Sequence, residues 1–273
     1  MSKLEGVLAT SHVDRHGDQV SVEALRSLVE QVERTYIPQT MDHDPRIPPV
    51  GRLVSAELRV REDGEFEVFG TTELFDEGEP PYKDDGRLMP IATVHGEELE
   101  VFYDRSYEND ADRETLDEIR GLTAGRLQPE LKKAFEPLSL LALAGVFAIG
   151  AFAGGFLNKM GSDAWDATKE KLKELFRRKR EMAGEHLFSF RAVVQRGEDT
   201  VLVETILTNP SDDDLDRFFS DGLRELDGIV PRLLETPVPV RKLVMEYSDG
   251  RVRFLFGVRK DAVPFTFGRR DPE

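Results

Sequence analysis

Three of the five histidines stand in settings that could do chemistry: His12 and His16 in SHVDRHGD, and His43 in MDHD. His12, Asp14, His16 and Asp18 alternate, so on a strand all four would share one face, as metal ligands can. The same residues suit a turn, with Asp14 and Asp18 accepting from local backbone amides and Gly17 supplying the bend. No glutamate or cysteine at ligand spacing completes a site, so no metal and no cofactor is expected. The chain has no cysteine, which excludes disulfides and thiolate chemistry, and nothing points to an oxidising compartment.

A second group of chemistry-bearing residues is the basic run Arg177, Arg178, Lys179 and Arg180. It lies in the basic stretch 158–184, which directly follows an uncharged apolar segment, where anionic lipid headgroups would attract it. Elsewhere the chain is acidic, with a formal net charge of -16. The excess lies mostly before residue 138, while residues 158–184 carry more basic than acidic side chains. An acidic surface repels phosphate backbones, so no nucleic-acid partner is expected. The opening MSKLEGVLATSHVDRHGDQV has no long apolar run after its lysine and reads as a cytoplasmic start.

At 273 residues the chain can build two domains, each with its own core. Gly6 to Val20 reads as strand and turn. From Ser21, Val22, Leu25, Leu28, Val29 and Val32 recur at helical spacing until near Tyr36, before Pro38. Leu53–Val60 and Phe66–Leu74 read as antiparallel strands joined at Asp63-Gly64. Residues 98–103 form a further strand and Asp112–Arg120 an acidic helix. Asp166–Arg180 is helical with a thin apolar face of Trp165, Leu172, Leu175 and Phe176, which suits a juxtamembrane or inter-domain position. The last part reads ββαββ: strands Leu187–Val194 and Thr200–Leu207, a capping box at Ser211 and Asp214, then a helix with Leu215, Phe218, Phe219, Leu226, Val230 and Leu233 on one face. A hairpin at Asp249-Gly250 closes it.

Between these parts lies LSLLALAGVFAIGAFAGGFL, Leu138 to Leu157, with no charge. As a helix, twenty residues would span about 30 Å, the hydrocarbon thickness of a bilayer. Gly150 and Gly154 form a GxxxG pair, and Gly145 and Gly155 add to a small-residue surface that would let helices approach closely. A buried central helix of an assembly has the same requirements. Four glycines at about 1 kcal/mol each would be costly in a water-soluble helix without such packing. A simple single span conflicts with the basic flank, which would place the acidic N-terminal part outside. The expected fold class is therefore α+β in four parts: a mainly β domain over 1–136, a central glycine-rich apolar helix over 137–160, a basic helix over 161–185 and an α+β domain over 186–273.

GVLATSHVDRHGDQVSVEAL followed by MDHDPRIPPVGRLVSAEL resembles the start of the tailed-phage prohead protease family, which is related in fold to the herpesvirus assemblins. The shared features are an Asp-x-x-Gly-Asp turn leading into a short helix, a His-Asp before a turn, and a Gly-Arg opening the next strand. The likeness covers roughly residues 5–75 and extends at most to about 110. It implies His43 as general base, Ser106 in ELEVFYDRSYEN as the serine nucleophile, and His95 as the group orienting the base. Ser106 departs from the family pattern, being preceded by Asp104 and Arg105 rather than lying among small residues. Two functions are therefore expected. One is a membrane-associated or self-assembling intracellular protein at the inner face of the cell membrane, with a non-catalytic protease-like domain for sensing or scaffolding. Its partners would be copies of itself and a membrane or another protein, and a phage-related or defence role follows by analogy. The other is a serine endopeptidase using the His43–Ser106 dyad.

Overall fold

The computed structural model describes residues 2–13, 19–42, 44–75, 80–91, 94, 99–123, 125–129 and 138–267. The chain is α+β, with two sheets, and divides into two compact units. The first takes residues 1–41, 47–90 and 257–273, and the second takes 42–46 and 91–256.

In the first unit, β1 (Lys3–Thr10) precedes α1 (Val22–Arg34), then β2 (Ile37–Gln39), β3 (Gly51–Val60) and β4 (Phe66–Leu74). Ser21 caps α1 by accepting from the Ala24 amide at 3.1 Å, and Thr35 returns to extended backbone ahead of Pro38. Leu25 and Val32 on the inner face are fully buried, each contributing about 1.5–3 kcal/mol of apolar transfer. The sheet order is β1-β4-β3-β2, antiparallel throughout. Asp63-Gly64 lies in the turn between β3 and β4, as its dipeptide predicts.

The second unit holds β5 (Glu100–Tyr103), a 3-10 turn (Arg105–Tyr107), α2 (Asp110–Thr123), β6 (Leu127–Pro129), β7 (Leu138–Phe147), α3 (Phe152–Met160) and α4 (Ser162–Arg180). It continues with β8 (Glu185–Arg196), β9 (Asp199–Thr208), α5 (Asp212–Arg217), a π turn (Phe218–Gly222), α6 (Leu223–Leu234), β10 (Val240–Ser248) and most of β11 (Arg251–Arg259). The end of β11 belongs to the first unit, where Gly257 and Val258 pair with β12 (Pro264–Phe265). The second unit's strands run β11-β10-β9-β8-β7-β5-β6. Three parallel pairs, β5–β6, β7–β8 and β9–β10, are each bridged by helices. One sheet face carries Phe188 and Phe190, whose rings meet Phe176 of α4 and Phe218 and Phe219 of the π turn at centroid distances of 5.6–6.5 Å.

This topology overturns the central apolar helix. Leu138–Phe147 is a strand in the middle of the sheet, parallel to β8 from Leu138↔Glu185 to Phe147↔Val194. Leu140, Ala142 and Ala144 on one face and Leu141 and Leu143 on the other are all buried. A strand covered on both faces reads as a continuous apolar run, which periodicity cannot tell from a buried helix. Gly145 sits where a Cβ would fall 2.6 Å from Leu99 Cδ2 and 2.8 Å from Phe147 Cε2, so the strand requires glycine for close approach. Gly150, at φ +73°, turns the chain into α3. Gly150 and Gly154 thus lie in different elements rather than forming one helical GxxxG face, and the site where Gly154 would carry a Cβ is open. Gly155 packs toward Phe147 of β7. Among the described residues no helix is long and apolar enough to cross a membrane.

The thin apolar face of the basic helix is a core face, with Trp165, Leu172, Leu175 and Phe176 of α4 all buried. The ββαββ part is present as β8 to β11, yet it shares one sheet with β5, β6 and β7 instead of standing alone. The capping box at Ser211 and Asp214 forms as its sequence predicts. Beyond it the helix is interrupted by the π turn, and Leu234 rather than Leu233 reaches the core.

Candidate functional site

The sequence-predicted Ser106 and Lys179 meet in a polar cluster of the second unit, built by the end of β5, the starts of β7, β8 and α2, and the last turn of α4. Asp104 closes β5 and organises the turn after it. One carboxylate oxygen accepts from the Ser106 amide at 2.9 Å and from the Ser106 hydroxyl at 2.6 Å. The other accepts from the Leu140 amide at 2.5 Å, tying the turn to β7. Ser106 is exposed, and its hydroxyl serves this cap.

Lys179 is fully buried, although four consecutive basic residues suggest a solvated surface. Its ammonium donates to Asp112 at 2.8 Å and to the Ser106 carbonyl at 2.5 Å, and lies 4.2 Å from the centre of the Tyr107 ring. Arg178 donates to the other oxygen of Asp112 at 3.1 Å and to the Thr115 hydroxyl at 2.8 Å. Burial pushes the Asp112 carboxyl up, but Lys179, Asn109 and Arg178 outweigh it and hold the group below the ordinary aspartate range. Arg177 and Arg180 pair with Asp212 at the start of α5. The basic run therefore works within the fold, and Lys179 has no surface to offer a headgroup.

Deeper in the cluster, the Ser139 hydroxyl of β7 and His186 Nδ1 of β8 stand 2.5 Å apart. The His186 amide donates to Asn209, and the Asn209 amide donates back to the His186 carbonyl, both at 2.8 Å. Burial lowers the imidazole pKa, so the neutral ring is favoured. His186 Nε2 and the Tyr107 hydroxyl make no hydrogen bond of normal geometry among the described residues, though the ring faces the Lys179 and Met182 carbonyls and the phenol lies by Ser139. Ser139 and His186 are each 4% exposed. A serine–histidine contact can activate a nucleophile, but this one is enclosed and joins two strands instead.

Sequence reasoning missed Asp104, Tyr107, Asp112, Ser139 and His186. The one available signal was Ser139, a lone hydroxyl in the run LSLLALAG. His43 and His95 lie outside the described residues, as do Asp14, His16 and Asp18. His12 is exposed and meets Asp63 at 3.1 Å. Among the described residues no three histidine or carboxylate side chains gather as metal ligands.

A second buried charged group spans β8, β9 and β10. Glu204 accepts from Ser189 at 2.7 Å and from Arg191 at 2.8 Å on one oxygen, and from Lys242 at 2.6 Å on the other. With both oxygens occupied, it links the three strands.

No family model, no curated protein and no solved structure matches this chain.

Proposed function

We propose that this chain is a self-assembling, non-catalytic protein whose protease-like domain, residues 1–136, serves sensing or scaffolding. The observation that carries this reading is the commitment of Ser106, whose hydroxyl and amide both go to Asp104 as the cap of a 3-10 turn. A serine–histidine dyad needs the hydroxyl proton aimed at the imidazole, and here it is aimed at Asp104. Assembly is supported by β1, a free edge strand of the first unit's sheet that exposes Leu4. Membrane association loses the element it was expected to use, because the apolar segment forms β7 and α3.

The test is labelling of the intact protein by a serine-directed fluorophosphonate, alongside Ser106→Ala and His43→Ala variants, with light scattering of all three. The expected result is no labelling and an assembly unchanged by either substitution. Labelling abolished by Ser106→Ala and by His43→Ala would establish the peptidase reading instead.

A further inference from the structure

The first unit's sheet has two unlike edges. β2 is three residues long and contains Pro38, which has no amide hydrogen to offer a partner strand. β1 is eight residues long with no proline, and its Leu4 and Val7 are 61% and 49% exposed. A long unblunted edge with exposed apolar side chains is a template for another strand.

We infer that β1 pairs antiparallel with β1 of a second copy, in the register that sets Leu4 opposite Leu4. This rests on the self-assembly reading and names the surface that performs it. The pattern of β1 selects the register. Residues opposite one another in an antiparallel pair share a face, and Lys3 and Glu5 lie on the opposite face from Leu4. Centring on Leu4 puts Lys3 against Glu5 of the other copy, twice by symmetry, and covers the most exposed apolar residue of the strand. Centring on Glu5 would oppose two carboxylates, and centring on Lys3 two ammonium groups. Centring on Gly6 would carry the pairing through the β-bulge between Val7 and Ala9, which disrupts the ladder. The Leu4 register needs only residues 2–6 and stops before that bulge. It is also locally neutral in a chain of net charge -16, where most surfaces would repel a copy. A two-fold pair of this kind is closed, so it predicts a dimer rather than a fibre.

The absence of cysteine makes the register directly measurable. Directly opposed residues in an antiparallel pair are about 4.5–5.5 Å apart at Cα, within disulfide reach. Leu4→Cys is expected to form a covalent dimer under mild oxidation, whereas Val60→Cys, exposed elsewhere on the same sheet, is expected to remain monomeric on a non-reducing gel. Leu4→Lys is expected to weaken dimerisation about tenfold or more in light scattering, since two ammonium groups would then oppose each other. Its position in solvent should leave the circular dichroism unchanged. If the native protein dimerises while Leu4→Cys fails to cross-link and Leu4→Lys still dimerises, the register is wrong and self-assembly stands. If the native protein is monomeric at every concentration, both fall.

Discussion

His186 is the residue whose surroundings make the clearest demand on solution conditions. Ser139 faces its Nδ1, the Lys179 and Met182 carbonyls face the rest of the ring, and the charges of Lys179 and Asp104 act on it from α4 and β5. Burial lowers its pKa and the Lys179 charge adds to the effect, against opposing pulls from the Met182 carbonyl, Asp104 and the Lys179 carbonyl. A histidine depressed in the folded state binds its proton more readily unfolded. Its stability contribution is therefore present above the unfolded value of about 6.5 and is lost as pH falls through the folded value. Asp112 and Glu73 are held below the ordinary carboxylate range, so their contributions are lost only at more acidic pH, below about 4. Urea midpoints should fall between pH 7.5 and pH 5, and His186→Gln should flatten that fall. A slope that the substitution leaves unchanged would place the titrating group elsewhere. None of this could be read from the sequence, because Ser139 and His186 are 47 positions apart and meet only through the parallel pairing of β7 and β8. Ser106, by contrast, is singled out by a resemblance, and in the structure its amide and hydroxyl donate to the Asp104 cap.

At the level of elements, local signals were legible wherever neighbours in sequence decide the outcome. The Ser21 cap, the hairpin dipeptides and the Ser211–Asp214 box all form as their residue types require. Leu138–Leu157 was illegible because its burial is set by strands distant in sequence, and an apolar run of leucine and alanine suits either a buried helix or a strand covered on both sides. Its glycines now separate the two accounts by experiment. Gly145→Ala would drive a methyl group into Leu99 and Phe147 and is expected to cost about 1–3 kcal/mol by overpacking. Gly154→Ala, in an exposed and open position of α3, is expected to stabilise by up to about 1 kcal/mol through helix propensity. Thermal unfolding of the two variants reads both signs. A close-packed GxxxG helix predicts the reverse for Gly154, where an added methyl group would damage an interface and change the oligomeric state.

On the scale of the whole molecule, the chain passes between the two units four times, and the first unit is completed only by residues near the C-terminus. Arg52 shows why this matters. Its fully buried guanidinium donates to Glu73 at 3.0 and 3.1 Å, to the Asp261 carbonyl at 2.6 Å, and pairs with the Asp261 carboxylate at 3.1 Å. Asp261 also receives Arg259 at 2.9 and 3.0 Å and the Lys83 amide at 3.1 Å. Removing one partner from a buried ion pair costs about 3–5 kcal/mol, which is a large share of the roughly 5–15 kcal/mol that holds a typical domain. A chain ending at Phe256 keeps β1 to β4 and α1 but loses Asp261, Arg259 and β12 together, leaving Arg52 with Glu73 and the Tyr36 and Phe75 rings but without its second carboxylate. The first unit of that chain should open under native conditions, and limited proteolysis should cut within residues 1–90 while the second unit resists. Equal protection of those residues in the truncated and full-length chains would mean that the Arg52–Asp261 pair is dispensable. Cleavage confined to the first unit would show that its stability, unlike that of the second, waits on the last residues of the chain. The long sequence separation of those contacts should also make the first unit the slower of the two to fold.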